Sequence, residues 1–166
     1  MWTALAVLLV LAALWLALIM PARSRKEQRT PFCGRTFAHR GLFSADQNVP
    51  ENSIAAFRAA ETAGYGVELD VQLTKDKRVV VFHDDTLLRA CGVDARVDAY
   101  TFEELQTLAL FGTEQKIPLF TEVLGAIGGT IPMIVELKSG GDWKTLCSET
   151  LKLLRAYTGD YCVESF

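Results

Sequence analysis

Residues Trp2 to Met20 are nineteen consecutive positions whose only polar side chain is Thr3. At about 1.5 Å rise per residue, such a run covers the hydrocarbon thickness of a bilayer. A chain of 166 residues has little surface with which to bury that helix on all sides, so a membrane anchor over residues 1–21 is the expectation. A cleaved secretory signal is the rival reading. It is disfavoured because no Lys or Arg precedes the run and no small-x-small site closes it. A buried core helix is the third reading and lacks a partner surface. Met20-Pro21-Ala22-Arg23 reads as a helix stop followed by charge. Arg23, Arg25, Lys26 and Arg29, opposed only by Glu27, make residues 22–35 a basic juxtamembrane linker. The positive-inside tendency keeps that flank cytoplasmic, so a single-pass protein facing the cytoplasm is expected. The same basic side chains suit an anionic lipid surface.

Beyond the anchor the chain is an ordinary globular mixture. Residues 31–166 carry 13 basic and 19 acidic side chains with no basic stripe, which excludes a nucleic-acid partner. Those 136 residues can hold one domain with a real core. A complete eight-stranded α/β barrel needs roughly 250 residues. Cys33, Cys91, Cys147 and Cys162 form no CxxC and no Cys–His zinc spacing, so reduced thiols are expected.

Apolar runs and helical periodicities alternate along this segment. Phe37-Ala38 reads as a short strand ending at His39, and Pro50 to Ser53 as a turn opening a helix with Ile54, Phe57 and Ala60 on one face. Gly66 to Leu73 alternates as a strand, followed by the β-branched run Val79 to Phe82. Thr101 with Glu104 is a capping box, predicting a helix with Phe102, Leu105, Leu108 and Ala109 inward. Phe120, Val123, Leu124 and Ile127 give a further helical face stopped at Gly128-Gly129. Met133 to Leu137 is a strand, Trp143 to Tyr157 a helix, and Tyr161 to Val163 a last strand. Strands alternating with helices predict βα units around a parallel sheet or barrel.

The chemistry lies on the strands. Both histidines of the chain, His39 and His83, end predicted strands, where parallel α/β folds bind ligands. Period two puts Glu68, Asp70 and Gln72 on one face of their strand, with Val67, Leu69, Val71 and Leu73 opposite. In a half-exposed strand that polar face simply meets water. Met133 to Lys138 repeats the design, however, with Glu136 and Lys138 sharing a face. Three carboxylates facing one lumen repel unless protonated or bridged by a cation, and oxygen-only ligands suit a hard ion. The link from Leu73 to Arg78 is too short for a parallel crossover, so Val79–His83 should return antiparallel. A turn centred at Lys75-Asp76 would set His83 opposite Glu68 and Val81 opposite Asp70. Glu51 and Asn52 have two readings of equal weight, helix N-terminal acid and cap or site lining.

Together, His39-Arg40-Gly41, Pro50-Glu51-Asn52-Ser53, Glu68-Leu69-Asp70-Val71, Thr74-Lys75-Asp76, His83-Asp84 and Glu136-Leu137-Lys138 resemble the glycerophosphodiester phosphodiesterase family. Order and spacing hold over residues 37–166, and Glu164-Ser165-Phe166 resembles a later strand of that family. The resemblance implies that residues 36–166 are the N-terminal part of a TIM-barrel phosphodiesterase. It would use a divalent metal, Mg²⁺ or Ca²⁺, to hydrolyse glycerophosphodiesters to sn-glycerol 3-phosphate and an alcohol, in glycerophospholipid metabolism. It further implies that His39 and His83 are the catalytic acid/base pair, that Glu68, Asp70 and Glu136 ligate the metal, and that Arg40 and Lys138 contact phosphate. Ser53 stands where the family usually has Thr, and Lys77 where it usually has Gly. The family continues through further strands after the Ser-Phe motif, so about the first half of the barrel is expected here. Two alternatives stand beside this reading. One is a related barrel enzyme that forms a cyclic phosphate from a phospholipid headgroup; the other is a non-catalytic, membrane-tethered half-barrel.

The basic flank generates a topology prediction. A reporter that is active only outside the cytoplasm, fused after Phe166, should stay silent; activity there reverses the orientation.

Overall fold

The computed structural model describes residues 2–20, 26–138 and 140–165. The expected helix stop at Pro21, the basic Arg23 and Arg25, the side chain of Lys26, and Phe166 lie outside the described residues. The chain divides into two compact units, Met1–Cys33 and Gly34–Phe166. In the first, α1 (Trp2–Ile19) is one continuous helix of mean hydropathy 2.6 with no buried residue, long and apolar enough to cross a membrane. The one-turn α2 (Lys26–Arg29) falls inside the stretch expected as a linker.

The second unit runs β1 (Phe37–His39), α3 (Ile54–Thr62), β2 (Gly66–Leu73), β3 (Val79–Val81), α4 (Leu88–Cys91), α5 (Phe102–Leu105), α6 (Phe120–Ile127), β4 (Met133–Leu137), α7 (Trp143–Ala156), β5 (Tyr161–Glu164). Four strands pair in the order β1-β2-β4-β5, all parallel, as βα units require. β4 takes one edge of β2, while β1 and the antiparallel β3 share the other, pairing with residues 66–68 and 71–73.

The three longer helices of this unit begin and stop close to where the sequence signals place them. Ser53 caps α3, its hydroxyl accepting from the Ala56 N–H, and Asp142 caps α7 through the Thr145 N–H. Gly128 ends α6 in the left-handed conformation that a side chain resists. Apolar faces of α3, α6 and α7 close over one face of the sheet. Val67, Leu69 and Val71 pack there with Phe57, Phe120, Val123, Ile127, Met133, Leu146 and Leu154. Burying each such side chain contributes about 1.5–3 kcal/mol, which fixes β2 against register slips. The opposite face is left to Glu68, Asp70 and Gln72.

A second, smaller core has no counterpart among the sequence expectations. Val79 and Val81 join the main core, whereas Val80 and Phe82 point the other way. They pack with Leu87, Ala90, Val97, Leu105, Leu110, Ile117 and Leu119. The excursion between β3 and α6 folds around this cluster. The helix expected to run through Ala109 therefore stops at Leu105. The Thr101–Glu104 capping box forms, but the Gln106 side chain then donates to the Ile117 carbonyl at 2.8 Å, and Ala109 is extended. Long-range packing overrides the local helical period.

The hairpin register also differs by one residue from the expectation. Val81 faces Val71, not Asp70, and the ladder ends before His83, so His83 is not opposite Glu68. The turn holds three residues between Thr74 and Arg78, with Lys77 in the left-handed region at φ 63°. Three-residue loops of this kind follow a type I turn with one left-handed residue, and the odd residue shifts the pairing.

Lys77 supplies the test of that turn. Lys77→Gly should raise stability by about 0.5–1 kcal/mol, because removing left-handed strain outweighs the added chain entropy. The exposed Lys77–Asp142 pair at 3.3 Å contributes little to offset the gain. Lys77→Val should lower stability, both changes being read from the denaturant midpoint. Equal midpoints for all three chains refute the turn geometry.

Candidate active site

At the carboxyl end of β1 the chain reverses through two left-handed residues, Arg40 at φ 59° and Gly41 at φ 79°. Gly41 is required twice over, since a Cβ there would lie 2.8 Å from the Cβ of Ala56 on α3. The reversal aims the Arg40 backbone N–H at Glu68 on β2, which accepts it through Oε2 at 3.0 Å. Asn52, left-handed at φ 54° and buried, returns its N–H to the Arg40 carbonyl at 2.9 Å. Its Nδ2 donates to Asp70 Oδ2 at 2.8 Å. Asn52 and Glu51 therefore line the site, and Ser53 is the helix cap.

The parallel pairing of β2 with β4 sets Asp70 beside Glu136. Carboxylate oxygens of Glu68, Asp70 and Glu136 lie within 4.8 Å of one another. Asp70 is fully buried and Glu68 is 7% exposed. Lys138 sits between two of them, 2.7 Å from Asp70 Oδ1 and 2.7 Å from Glu136 Oε1. Arg40 Nε adds a longer contact, 3.7 Å from Asp70 Oδ2. Two cations thus face three carboxylates. Burial first, then the charges of Asp70 and Glu136, push the Glu68 carboxyl up to about 7, with the Arg40 N–H opposing.

The donor set fits a divalent cation. Among the described residues Glu68 Oε1 is buried without a hydrogen-bond partner, and three hard oxygens surround a place short of positive charge. The register of β5 sets Glu164 beside Glu136, extending the acidic row to a third strand.

The histidines flank this cluster differently. His39, with a largely exposed side chain, has Nε2 at 3.8 Å from Glu68 Oε2. His83 is held by Asp84, whose Oδ1 is 2.7 Å from Nδ1. Two further residues join the site: Gln72, which the strand period placed on the acidic face, and Arg89, which did not stand out in the sequence. Gln72 follows Asp70 on the same strand face, and its Nε2 lies 2.9, 3.2 and 2.8 Å from the carbonyls of Phe82, His83 and Asp84. It ties the His83 loop to β2 in place of the ladder that ends at Val81. Arg89, on α4, donates to Asp84 through Nε at 2.6 Å and to Glu51 through Nη2 at 2.6 Å. Period two put Gln72 on this face without assigning it a role; nothing local distinguishes Arg89.

Parallel strands alternating with helices, and a charged site at the strands' carboxyl ends, define the opening segment of a TIM-barrel protein. The chain belongs to the glycerophosphoryl diester phosphodiesterase family, whose sequence profile matches residues 39–146. It is 44% identical over 111 residues to a glycerophosphodiester phosphodiesterase of Caldanaerobacter subterraneus, covering 62% of this chain and 44% of that one. It is 32% identical over 160 residues to the rat lysophospholipase D GDPD1, covering 89% of this chain and 49% of that one. Its fold is similar to an Oleispira antarctica phosphodiesterase solved in complex with the product sn-glycerol-3-phosphate. That likeness has a TM-score of 0.72 and 28% identity, and covers 81% of this chain and 58% of the other. A glycerophosphodiester phosphodiesterase of Thermotoga maritima gives a TM-score of 0.65 at 30% identity, over 79% and 53% of the two chains. The chain thus spans about half the length of the curated relatives it matches.

The raised Glu68 carboxyl makes ion-free stability depend on pH. Its proton is held more tightly folded than unfolded, so its contribution is complete below the ordinary 4.5 and lost as pH rises through about 7. The melting temperature of the chelator-treated chain should fall across that window. A saturating divalent cation should abolish the fall by taking the proton's place. An ion-free melting temperature that is flat or rising there contradicts the site.

Proposed function

We propose that this chain carries the metal and proton-transfer centre of a glycerophosphodiester phosphodiesterase. The reaction is hydrolysis of a glycerophosphodiester to sn-glycerol 3-phosphate and an alcohol. The observation that carries the reading is the crowding of Glu68, Asp70 and Glu136 around a carboxylate oxygen without a partner among the described residues. His39 lies 3.8 Å from Glu68, and His83 is in the neighbouring group with Glu51 and Asp84. Family membership and the product held by the Oleispira antarctica relative support the same chemistry.

Glu68, Asp70 and Glu136 would hold Mg²⁺ or Ca²⁺. When bound, such an ion neutralises a phosphate oxygen and lowers the pKa of a nucleophilic hydroxyl. Arg40 offers planar guanidinium donors to a phosphate, which a Lys replaces only as a point charge. Lys138, between Asp70 and Glu136, would offer its ammonium to the phosphate as a point charge. One histidine accepts the nucleophile's proton and the other protonates the leaving alkoxide. Asp84 fits His83 for this by fixing its Nδ1, so that proton exchange runs through Nε2. His39 Nε2 faces Glu68, whose carboxylate stabilises the imidazolium that forms.

Residues 36–166 form the phosphodiesterase part, tethered by the helix over residues 1–21 through the basic stretch 22–35, and facing the cytoplasm. The apolar α1 supports the tether, and the basic side chains that follow it support the orientation. A lysophospholipid in place of the deacylated diester is the second reading. It is favoured because the match to the rat lysophospholipase D extends over 89% of this chain.

Chelation of the full chain should abolish hydrolysis of glycerophosphocholine and lysophosphatidylcholine, and Mg²⁺ or Ca²⁺ should restore it. His83→Ala should lower kcat by about 10²–10⁴ with little change in KM. Products formed in ¹⁸O-water should carry the label in the phosphate; an unlabelled cyclic phosphate would overturn hydrolysis in favour of internal attack. Full turnover in excess chelator, or a wild-type rate in His83→Ala, removes the corresponding role.

A further inference from the structure

Beside the carboxylate cluster of β2 and β4 lies a second group with the same compactness. Ligand atoms of Glu51, His83 and Asp84 also fall within 4.8 Å of one another. By residue type this group could hold a metal as readily as the first. Its surroundings are opposite in kind. Where Glu68 keeps a buried oxygen without a partner, Glu51 and Asp84 are taken up by one guanidinium. Arg89 Nη2 and Nη1 donate to the two oxygens of Glu51 at 2.6 and 3.1 Å. Arg89 Nε and Nη2 donate to the two oxygens of Asp84 at 2.6 and 3.0 Å. Glu51 also accepts from Arg40 Nη1 at 3.0 Å, and Asp84 also meets His83 Nδ1.

We propose that Arg89 is a positioning residue: its guanidinium occupies the place of a second cation between Glu51, His83 and Asp84, keeping the centre to one metal ion and leaving His83 free for proton transfer. The proposal deepens the phosphodiesterase reading and rests on it for the role of His83.

Three features make the guanidinium suited to this. It is permanently charged, so no change of pH within the working range releases the carboxylates. Its planar fork serves two carboxylates at once, which an ammonium cannot do with the same geometry. It is also held from behind, lying 5.4 Å over the Phe111 ring, on a helix seated in the second core through Leu87 and Ala90. A divalent ion entering this group would have to displace Arg89 and would take a His83 nitrogen as a ligand, leaving that ring unable to shuttle a proton there. The pairing is reflected in both carboxyls. Burial raises Glu51 and Asp84, but Arg89, with Arg40 at Glu51 and His83 at Asp84, holds them below the usual carboxylate range.

His83 is faced by Asp84 from its own loop, by Glu51 from the β1–α3 connection and by Arg89 from α4. Gln72 on β2 holds the loop carbonyls and brings no charge. Removing the guanidinium therefore leaves the imidazole beside an Asp84 carboxylate stripped of its cation and a Glu51 carboxylate paired with Arg40 alone.

The test counts ions and titrates His83 in the full chain. Equilibrium binding of Mn²⁺ to the wild type should give one ion per chain, and to Arg89→Met two. Arg89→Lys, which keeps the charge, should return the count to one. In the chelator-treated chain, the His83 imidazole followed by NMR should titrate higher in Arg89→Met than in the wild type. Arg89→Gln, which still donates to one carboxylate, carries both readouts if Arg89→Met does not fold. A second Mn²⁺ in the wild type overturns the proposal, as does an Arg89→Met or Arg89→Gln chain with one ion and unshifted His83. If the wild type binds no ion, the metal reading of Glu68, Asp70 and Glu136 fails. The ion-free titration still decides the role of Arg89.

Discussion

The pairing of β2 with β4 brings three carboxylates into one buried space, and the rest of the second unit answers that repulsion. Register alone sets Asp70 beside Glu136, and period two brings Glu68 to the same face. Neither strand can slide to relieve the charge, because a one-residue slip would turn Val67, Leu69 and Val71 out of the main core. Apolar burial on one face therefore enforces electrostatic crowding on the other. Lys138 and Arg40 offset part of it, and the remainder appears in Glu68 as a raised carboxyl and an unpartnered oxygen. A site that holds its shape while short of one positive charge is prepared for a cation.

The β1–α3 connection carries the local strain of this arrangement. Arg40 and Asn52 both adopt left-handed backbone conformations, and they are tied to each other by a main-chain hydrogen bond. For an arginine that conformation costs about 1–2 kcal/mol. In exchange, one residue supplies both a main-chain N–H to Glu68 and a guanidinium to Glu51. Gly41 permits the reversal because no side chain fits against α3 there. The strain is retained where it orients the charged groups.

Much of this is legible in the sequence, for a physical reason. The strands and main helices follow from period two, period 3.6 and their caps, which are local signals. Glu68, Asp70, Glu136 and Lys138 are readable because alternation alone decides which face a strand residue takes. The hairpin register departs from expectation because one left-handed residue, Lys77, is invisible in a side-chain pattern yet shifts every pair by one. The helix expected through Ala109 fails because the partners of Gln106 and Leu110 lie several residues further on, in the segment around Ile117. Arg89 cannot be read at all. Its partners Glu51 and Asp84 come from different connections, and only the fold brings them together.

The two cores give the centre its division of labour. β3 belongs to both, with Val79 and Val81 in the main core and Val80 and Phe82 in the smaller one. The three clustered carboxylates stand on β2 and β4, whose backbones are fixed by the main core. His83, Asp84 and Arg89 stand on the excursion governed by the smaller core. Two cross-links join these bodies near the site. Gln72 binds the His83 loop to β2, and Arg89 binds that loop's Asp84 to Glu51 on the β1 side. His83 is thus placed relative to the carboxylates by directed hydrogen bonds instead of a strand ladder. Removing either link should loosen His83 while leaving the carboxylate geometry intact, because the apolar face of β2 holds that geometry without them.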